Sequence, residues 1–208
     1  MRPFGEGYAR AGTPRFGKVL VASGHMTDAP DRVEKGLGER FPERKVGAVR
    51  VRVAAQLDEW GASGGDLAIC GGARGADIIF AELCAGRGAE VWLFLALPEG
   101  EFLEESVRSP GTDWERRFRD LRGLESVKTF GQPDHFKSPP EEGASVFARA
   151  NLRMIDAARA EAGGPEDLHA VLVWDERPTG DGPGGTSDFA ARVKRLGGRL
   201  AIINPTKL

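Results

Sequence analysis

The sequence predicts an α/β fold, a three-layer α/β/α sandwich with a mainly parallel sheet. Short apolar segments alternate with segments of helical periodicity, which is typical of parallel strands joined by helices that cover both faces of the sheet. Glycine-rich turns precede two of the predicted helices, at residues 71–75 and 182–185. The 208 residues suit one sizeable core. We expect an N-terminal arm over residues 1–17 and a single domain over residues 18–208.

The composition is that of a globular protein and argues against two classes of partner. The formal net charge is -2, so no basic field points to nucleic acid. No apolar stretch is long enough to span a membrane, and the N-terminus lacks the apolar core of a secretory signal, so we expect a cytoplasmic protein. Cys70 and Cys84 lie in apolar segments and are predicted to be buried thiols, with no disulfide and no metal site.

The first part of the chain predicts a strand and a crossover helix. Residues 18–22 form an apolar strand that ends in a polar turn containing Gly24 and His25. Ligands of open α/β sheets bind at the carboxyl ends of strands, so both residues are candidate ligand contacts. A loop histidine bonded to the backbone is the alternative. Residues 46–60 carry apolar side chains at helical spacing, although their VRVRV segment also alternates like a strand. A helix is favoured because parallel strands need a crossover.

The next segment predicts a strand at residues 67–70, a glycine turn, and a helix from residue 76. A helix N-terminus presents free N–H groups and a partial positive charge, which favour an anion such as phosphate. Arg74, in the turn, either contacts that phosphate or is solvated. Asp77, in the first turn of the helix, either complements the helix dipole or forms a hydrogen bond with a sugar hydroxyl. The glycines alternatively serve close packing alone. The candidate ligand contacts here are Gly71, Gly72, Arg74, Gly75 and Asp77.

The middle of the chain predicts two strands, three helices and a surface loop that is either a plain loop or a lid. Asn151 falls on the apolar face of the third helix, where its amide must find hydrogen bonds, either to a strand-end loop or to a ligand. Residues 131–143 form a proline-rich surface loop, and His135 and Phe136 make it a candidate lid. The strands are predicted at residues 89–97 and 126–130, and the helices at 99–107, 113–121 and 144–160.

The last part of the chain predicts a second ligand-facing turn. A strand at residues 168–174 ends in Asp175 and Glu176, two acids that either accept hydrogen bonds from a ribose or base or are solvated. A glycine-rich loop follows, and Thr186 is predicted to cap the next helix. The last strand is expected at residues 200–203. Gly184, Gly185 and Thr186 complete the candidate ligand contacts.

The motifs GGARGAD at residues 71–77, VWDE at 173–176 and GPGGTSD at 182–188 resemble the SLOG superfamily. This superfamily joins the DprA/Smf proteins and the LOG phosphoribohydrolases on a Rossmann-like fold. The resemblance, which covers about residues 18–205, implies a crevice for a nucleotide or nucleotide-derived ligand and no required cofactor. Some members are sensing modules attached to effector domains, which implies an effector protein as partner. A homodimer is expected by analogy. The implied phosphate-side and ribose-side contacts are Gly71, Gly72, Arg74, Gly75, Gly184, Gly185 and Thr186.

The chain departs from the LOG enzymes at their catalytic glutamate, which lies in a PGGxGTxxE loop. Phe189 stands at the glutamate position, and Asp188 is one residue away, a helical step of about 100°. Asp188 and Glu176 are therefore the candidate catalytic residues. The main hypothesis is a sensing or regulatory module without catalysis. The alternative is hydrolysis of the N-glycosidic bond of a nucleoside 5′-monophosphate, and the third is an interaction domain with a vestigial crevice.

Overall fold

The structure is a computed structural model, and it describes residues 14–131, 145–177 and 185–208. Six strands form one sheet in which every pair is parallel, which confirms the predicted α/β fold and makes it Rossmann-like. The strands are β1 (Val19–Gly24), β2 (Leu67–Cys70), β3 (Glu90–Phe94), β4 (Val127–Phe130), β5 (Leu168–Val173) and β6 (Arg199–Ile203). The helices are α1 (Val46–Glu59), α2 (Ala76–Ala85), α3 (Glu99–Phe102), α4 (Trp114–Arg122), α5 (Val146–Glu161) and α6 (Thr186–Arg195).

The strand order is β4-β3-β2-β1-β5-β6, so the winding direction reverses between β1 and β5. The chain moves outward from β1 to β4 and then returns to place β5 against the other side of β1. The two strands pair along six residues, and Gly24 lies opposite Val173 at their carboxyl ends. Ligands of doubly wound sheets bind at this switch point. The topology therefore makes the loops after β1 and β5 the walls of a crevice.

Two apolar cores lie on opposite faces of the sheet. Helices α1, α2 and α4 cover one face, and α5 and α6 cover the other. The helical interpretation of residues 46–60 is confirmed, because Val49 and Val53 are buried while Val51 is 68% exposed. In a strand these three valines would share one face, whereas in a helix the middle one is turned away.

The other predicted elements are confirmed with small changes of boundary. The predicted helix at residues 99–107 begins as α3 and ends in a π turn (Leu103–Val107). Such turns occur frequently at functional sites. Cys70 and Cys84 are buried free thiols, and burial raises the pKa of both. In the part of the chain that the structure describes, no helix is long and apolar enough to cross a bilayer.

The end of the predicted arm is docked on the sheet. Phe16 is buried with its ring edge-on to Trp92 at 6.3 Å, and the N–H of Gly17 donates to the carbonyl of Gly65 at 2.9 Å. Three predicted features lie outside the described residues: the arm up to residue 13, the lid with His135 and Phe136, and the part of the second glycine loop that holds Gly184.

Candidate functional site

A cavity of about 300 Å³ opens at the carboxyl end of the sheet. Pockets for small ligands have volumes of about 300 to 1,000 Å³, so this one suits a single compact molecule. Loops that follow β1, β2 and β3 line it together with the N-terminal ends of α5 and α6. The predicted contacts that border the cavity are Gly24, His25, Gly71, Asp77, Asn151, Gly185 and Thr186.

One wall of the cavity is aromatic and apolar. Phe94 and Phe102 are buried in it, and Phe147 lies at its mouth with 45% of its surface exposed. The spacing of the apolar residues along this helix predicts that Phe147 and Met154 share a buried apolar face, and the exposure of Phe147 departs from that prediction. Phe147 stands in the first turn of α5, at the end of the helix that borders the cavity. Met154, two turns further along, is buried as predicted.

The turn after β2 packs directly against the loop after β1. Gly75 has a φ of 87°, and a Cβ there would lie 2.8 Å from the backbone nitrogen of Thr27 and 2.9 Å from the carbonyl oxygen of His25. The N–H of Ala76 donates to that same His25 carbonyl. Gly24 approaches the end of β5 just as closely, because a Cβ added there would lie 2.6 Å from the carbonyl oxygen of Val173. Gly75 thus has the close-packing role that was the alternative to phosphate binding.

Arg74 does not border the cavity, and neither does Gly72 or Gly75. The Arg74 guanidinium donates to the carbonyl oxygens of Thr27 at 3.3 Å and Arg108 at 3.4 Å, while its backbone N–H donates to the carbonyl of Ser106 at 2.8 Å. Arg74 thereby joins the loop after β1, the turn after β2 and the end of the π turn. The role of Arg74 as a phosphate contact stays a prediction, and its observed contacts are structural.

The acidic group at the turn after β2 is a carboxyl of the protein itself. Asp77 Oδ2 accepts the N–H of Ala73 at 3.2 Å, and the N–H groups of Gly71 and Gly72 also stabilise this carboxylate. A Cβ on Gly71 would lie 2.8 Å from Asp77 Oδ2, so the approach requires glycine. Burial raises the pKa of Asp77 to about 7. The three N–H groups have the opposite effect and lower this pKa, but the effect of burial is larger. Asp77 therefore holds the position that a phosphate takes at such turns.

His25 and Asp175 join the two strands at the switch point. His25 Nε2 lies 3.0 Å from Asp175 Oδ1, and both side chains are almost completely buried. Burial raises the pKa of Asp175, but the hydrogen bond from His25, the N–H of Arg177 and the charge of Arg40 outweigh it and lower the pKa overall. Asp175 is thus held ionised beside the cavity without bordering it. Arg40 does border the cavity, and its charge lies close enough to Asp175 to act on that carboxyl.

The N-terminus of α6 reaches the cavity through Gly185 and Thr186. The prediction that Thr186 caps this helix is wrong, because Gly185 is the cap residue and no side chain caps the helix. The chain enters the helix one residue earlier than predicted, so Thr186 is its first helical residue. The N-terminus of α5 lies nearby and is capped by Ser145, whose Oγ accepts the N–H of Ala148 at 3.1 Å. These positive helix ends make the polar wall attractive to an anion.

The two candidate catalytic acids lie away from the cavity. Asp188 accepts a hydrogen bond from Arg192 at 2.8 Å. Glu176 accepts from Asn204 at 3.1 Å and from Lys207 at 2.8 Å, near the end of the chain. Glu176 has a φ of 63°, which reverses the backbone after Asp175 and separates two side chains that are adjacent in sequence. Within the described residues, no three His, Cys, Asp or Glu side chains form a group that could hold a metal ion.

No protein-family model matches the chain, and no curated protein matches it in sequence. Among solved structures, the chain is similar to the X-ray structure of TM1055, a Northeast Structural Genomics Consortium target. The two share 14% sequence identity with a TM-score of 0.42, over 88% of this chain and 72% of that one. The Rossmann-like assignment made above follows from the strand order and the parallel pairing alone.

Proposed function

We propose that the cavity binds a phosphate-bearing, nucleotide-derived small molecule and that the protein serves as a ligand-sensing module. The observation that carries this proposal is the division of the cavity into an aromatic wall and a cationic wall at the switch point of the sheet. Phe147, which lies at the mouth of the cavity and is 45% exposed, offers a ring face on which a base can stack, with the buried Phe94 and Phe102 behind it. Arg40 and the N-terminus of α6 offer the charge and the N–H groups that a phosphate needs.

The position of Arg40 supports a defined orientation of the ligand. Its charge lowers the pKa of Asp175, which follows β5, and α6 packs against β5 and β1. The cation and the α6 N-terminus therefore belong to the same side of the cavity. A phosphate bound there would be kept apart from Asp77, which lies on the β2 side.

The partners of the two candidate catalytic acids support binding without catalysis. Arg192 holds Asp188, and Asn204 with Lys207 holds Glu176, so neither carboxylate is presented to a bound ligand. In a sensing module the liganded state would be read by an effector protein. A vestigial crevice would be filled by side chains, whereas this cavity is open over the lining that the structure describes.

Thermal shift measurements with nucleoside monophosphates, cyclic nucleotides and ADP-ribose test the proposal. A ligand that binds only the folded state raises the melting temperature as its concentration exceeds the dissociation constant. Arg40→Met keeps much of the apolar stem and removes the charge, and we expect it to weaken binding about 10- to 100-fold. Arg44→Met is the matched control, because Arg44 is exposed and pairs with Glu39. The absence of any shift at millimolar ligand would contradict the proposal.

Asp77 favours hydrolysis of an N-glycosidic bond as the second candidate function. It borders the cavity, and its pKa of about 7 suits a group that gives or takes a proton near neutral pH. In such a reaction the acid would protonate the leaving base while water attacks the sugar. Release of free base from a nucleoside 5′-monophosphate, followed by chromatography, is then expected for the wild type and lost in Asp77→Asn. Equal release by both proteins would remove Asp77 from that role.

A further inference from the structure

We infer that the groove between α5 and α6 binds an acidic segment of the effector protein, whose carboxylates pair with Arg159 and Arg195. This inference deepens the proposed function and rests on it, because a sensing module needs a surface that its effector can read. It concerns the second halves of the two helices, outside the cavity lining.

The groove combines apolar and cationic side chains. Ile155 and Leu196 are its apolar residues, the first buried and the second partly buried. Its charged residues are Arg159, Arg192, Arg195 and Asp156. Arginine is enriched in protein interfaces, where it surrounds a more apolar centre. The composition of the groove is therefore that of a surface for another protein.

Two of the three arginines pair with no carboxylate in the part of the chain that the structure describes. These are Arg159 and Arg195, whereas Arg192 pairs with Asp188 at 2.8 Å. On α4, by contrast, all four arginines form ion pairs. A cation in the last turn of a helix complements the helix dipole, but this does not explain why unpaired arginines of two helices line one groove. A guanidinium matches a carboxylate with two parallel hydrogen bonds, so an acidic partner fits this pair.

The layer of α5 and α6 is positively charged, although the whole chain is not. The two helices carry six Arg and Lys side chains and three Asp and Glu side chains, while the net charge of the chain is -2. The protein thus lacks the overall basic field that steers nucleic acid to a surface. Asp156 would repel a phosphate backbone, but it can accept hydrogen bonds from the N–H groups of a peptide. The charges therefore favour an acidic protein over nucleic acid.

Helices α5 and α6 connect the groove to the cavity. In α5 the two linings are contiguous, because Met154 borders the cavity and Ile155 borders the groove. In α6 the cavity-lining Thr186 and the groove-lining Arg195 lie about 14 Å apart along the helix. The two helices pack against each other, so a ligand that shifts either of them changes the spacing of the arginines. The groove can thereby report the state of the cavity to the effector.

Nuclear magnetic resonance titration of the full chain with the peptide acetyl-Glu-Glu-Leu-Glu-Glu-amide tests the inference. We expect shifts at the amides of residues 155–159 and 192–196. Arg159→Gln and Arg195→Gln should each weaken peptide binding about 3- to 10-fold. Their melting temperatures should stay close to that of the wild type, because both side chains are exposed and form no ion pair within the described chain. Arg52→Gln is the matched control, since Arg52 is an exposed arginine of α1 that also forms no ion pair there.

Three outcomes would overturn the inference. Equal weakening of peptide binding by Arg52→Gln and Arg195→Gln would show a general attraction between opposite charges. Tighter binding of pentathymidylate than of the peptide, lost in Arg195→Gln, would make the groove a surface for nucleic acid. An absence of peptide-induced shifts at millimolar concentration, in a protein that still binds nucleotides, would contradict this inference alone. Peptide binding in a protein that binds no nucleotide would instead contradict the proposed function and leave the groove as a surface for a protein.

Discussion

Asp77→Asn is expected to be more stable than the wild type at pH 8, with an advantage that grows by about 3 kcal/mol between pH 5 and pH 8. The Asp77 carboxyl has a pKa of about 7 in the folded protein and 3.8 as its ordinary value, because burial disfavours its charged form. As the pH rises, the unfolded chain loses this proton first. The contribution of the protonated Asp77 carboxyl to the free energy of unfolding is therefore lost as the pH rises from about 4 to about 7.

The size of this effect follows from the two pKa values. They differ by about 3 pH units, and one unit corresponds to about 1.4 kcal/mol, which gives a total of about 4 kcal/mol. Somewhat more than one third of that change lies below pH 5. An asparagine carries no charge, and its carbonyl oxygen can still accept the N–H of Ala73.

Urea denaturation of the wild type and Asp77→Asn at several pH values between 5 and 8 measures the difference in their free energies of unfolding. The other titrating groups are common to both proteins, so their contributions cancel. Asp188→Asn is the matched control. Asp188 lies at the surface of α6 with Arg192 as its partner, and a change of less than about 0.5 kcal/mol is expected there. Parallel stability curves for wild type and Asp77→Asn would mean that Asp77 ionises at its ordinary pKa.

Gly75→Ala is expected to destabilise the protein by about 3 kcal/mol or more and to abolish ligand binding. Its φ of 87° and ψ of −120° form a conformation that residues with a side chain rarely adopt. An added Cβ would also lie 2.8 Å from the backbone nitrogen of Thr27 and 2.9 Å from the His25 carbonyl, which are main-chain atoms that cannot turn aside. The loop after β1 would have to move, and the polar wall of the cavity would move with it.

Gly47→Ala is the control for Gly75→Ala. Gly47 lies in the exposed first turn of α1, where a Cβ meets nothing within 4 Å, so alanine is expected to stabilise the protein by up to about 1 kcal/mol. Denaturant unfolding of both variants measures the contrast, and a ligand titration of Gly75→Ala follows the site. A Gly75→Ala protein as stable as the wild type would show that the two loops separate without loss.

The strand–helix order and about a third of the residues that line the cavity were predictable because their signals are local. Apolar runs and helical spacing locate the elements, and the carboxyl ends of parallel strands locate Gly24 and His25. Asn151 was found because an amide on an apolar helix face needs a partner. These inferences require only neighbouring residues and one rule of topology.

Arg40 and Ser106 were missed because their positions depend on contacts between distant segments. Arg40 lies in a stretch broken by glycine and proline that has no period. Ser106 reaches the cavity through the π turn and the N–H of Arg74, and neither is visible in the sequence. The separation of Asp175 from Glu176 depends on a positive φ at a glutamate, a conformation that residue type does not predict.

Arg74 makes three chain segments that are distant in sequence into one cooperative unit. Its backbone and guanidinium bind carbonyl oxygens of Thr27, Ser106 and Arg108, so opening any one segment breaks bonds to the others. Local unfolding proceeds in such bonded units, which share a common opening free energy. We therefore expect the amides of the loop after β1, the turn after β2 and the π turn to exchange with solvent as one group. A ligand that orders one of these segments on binding would therefore also order the other two.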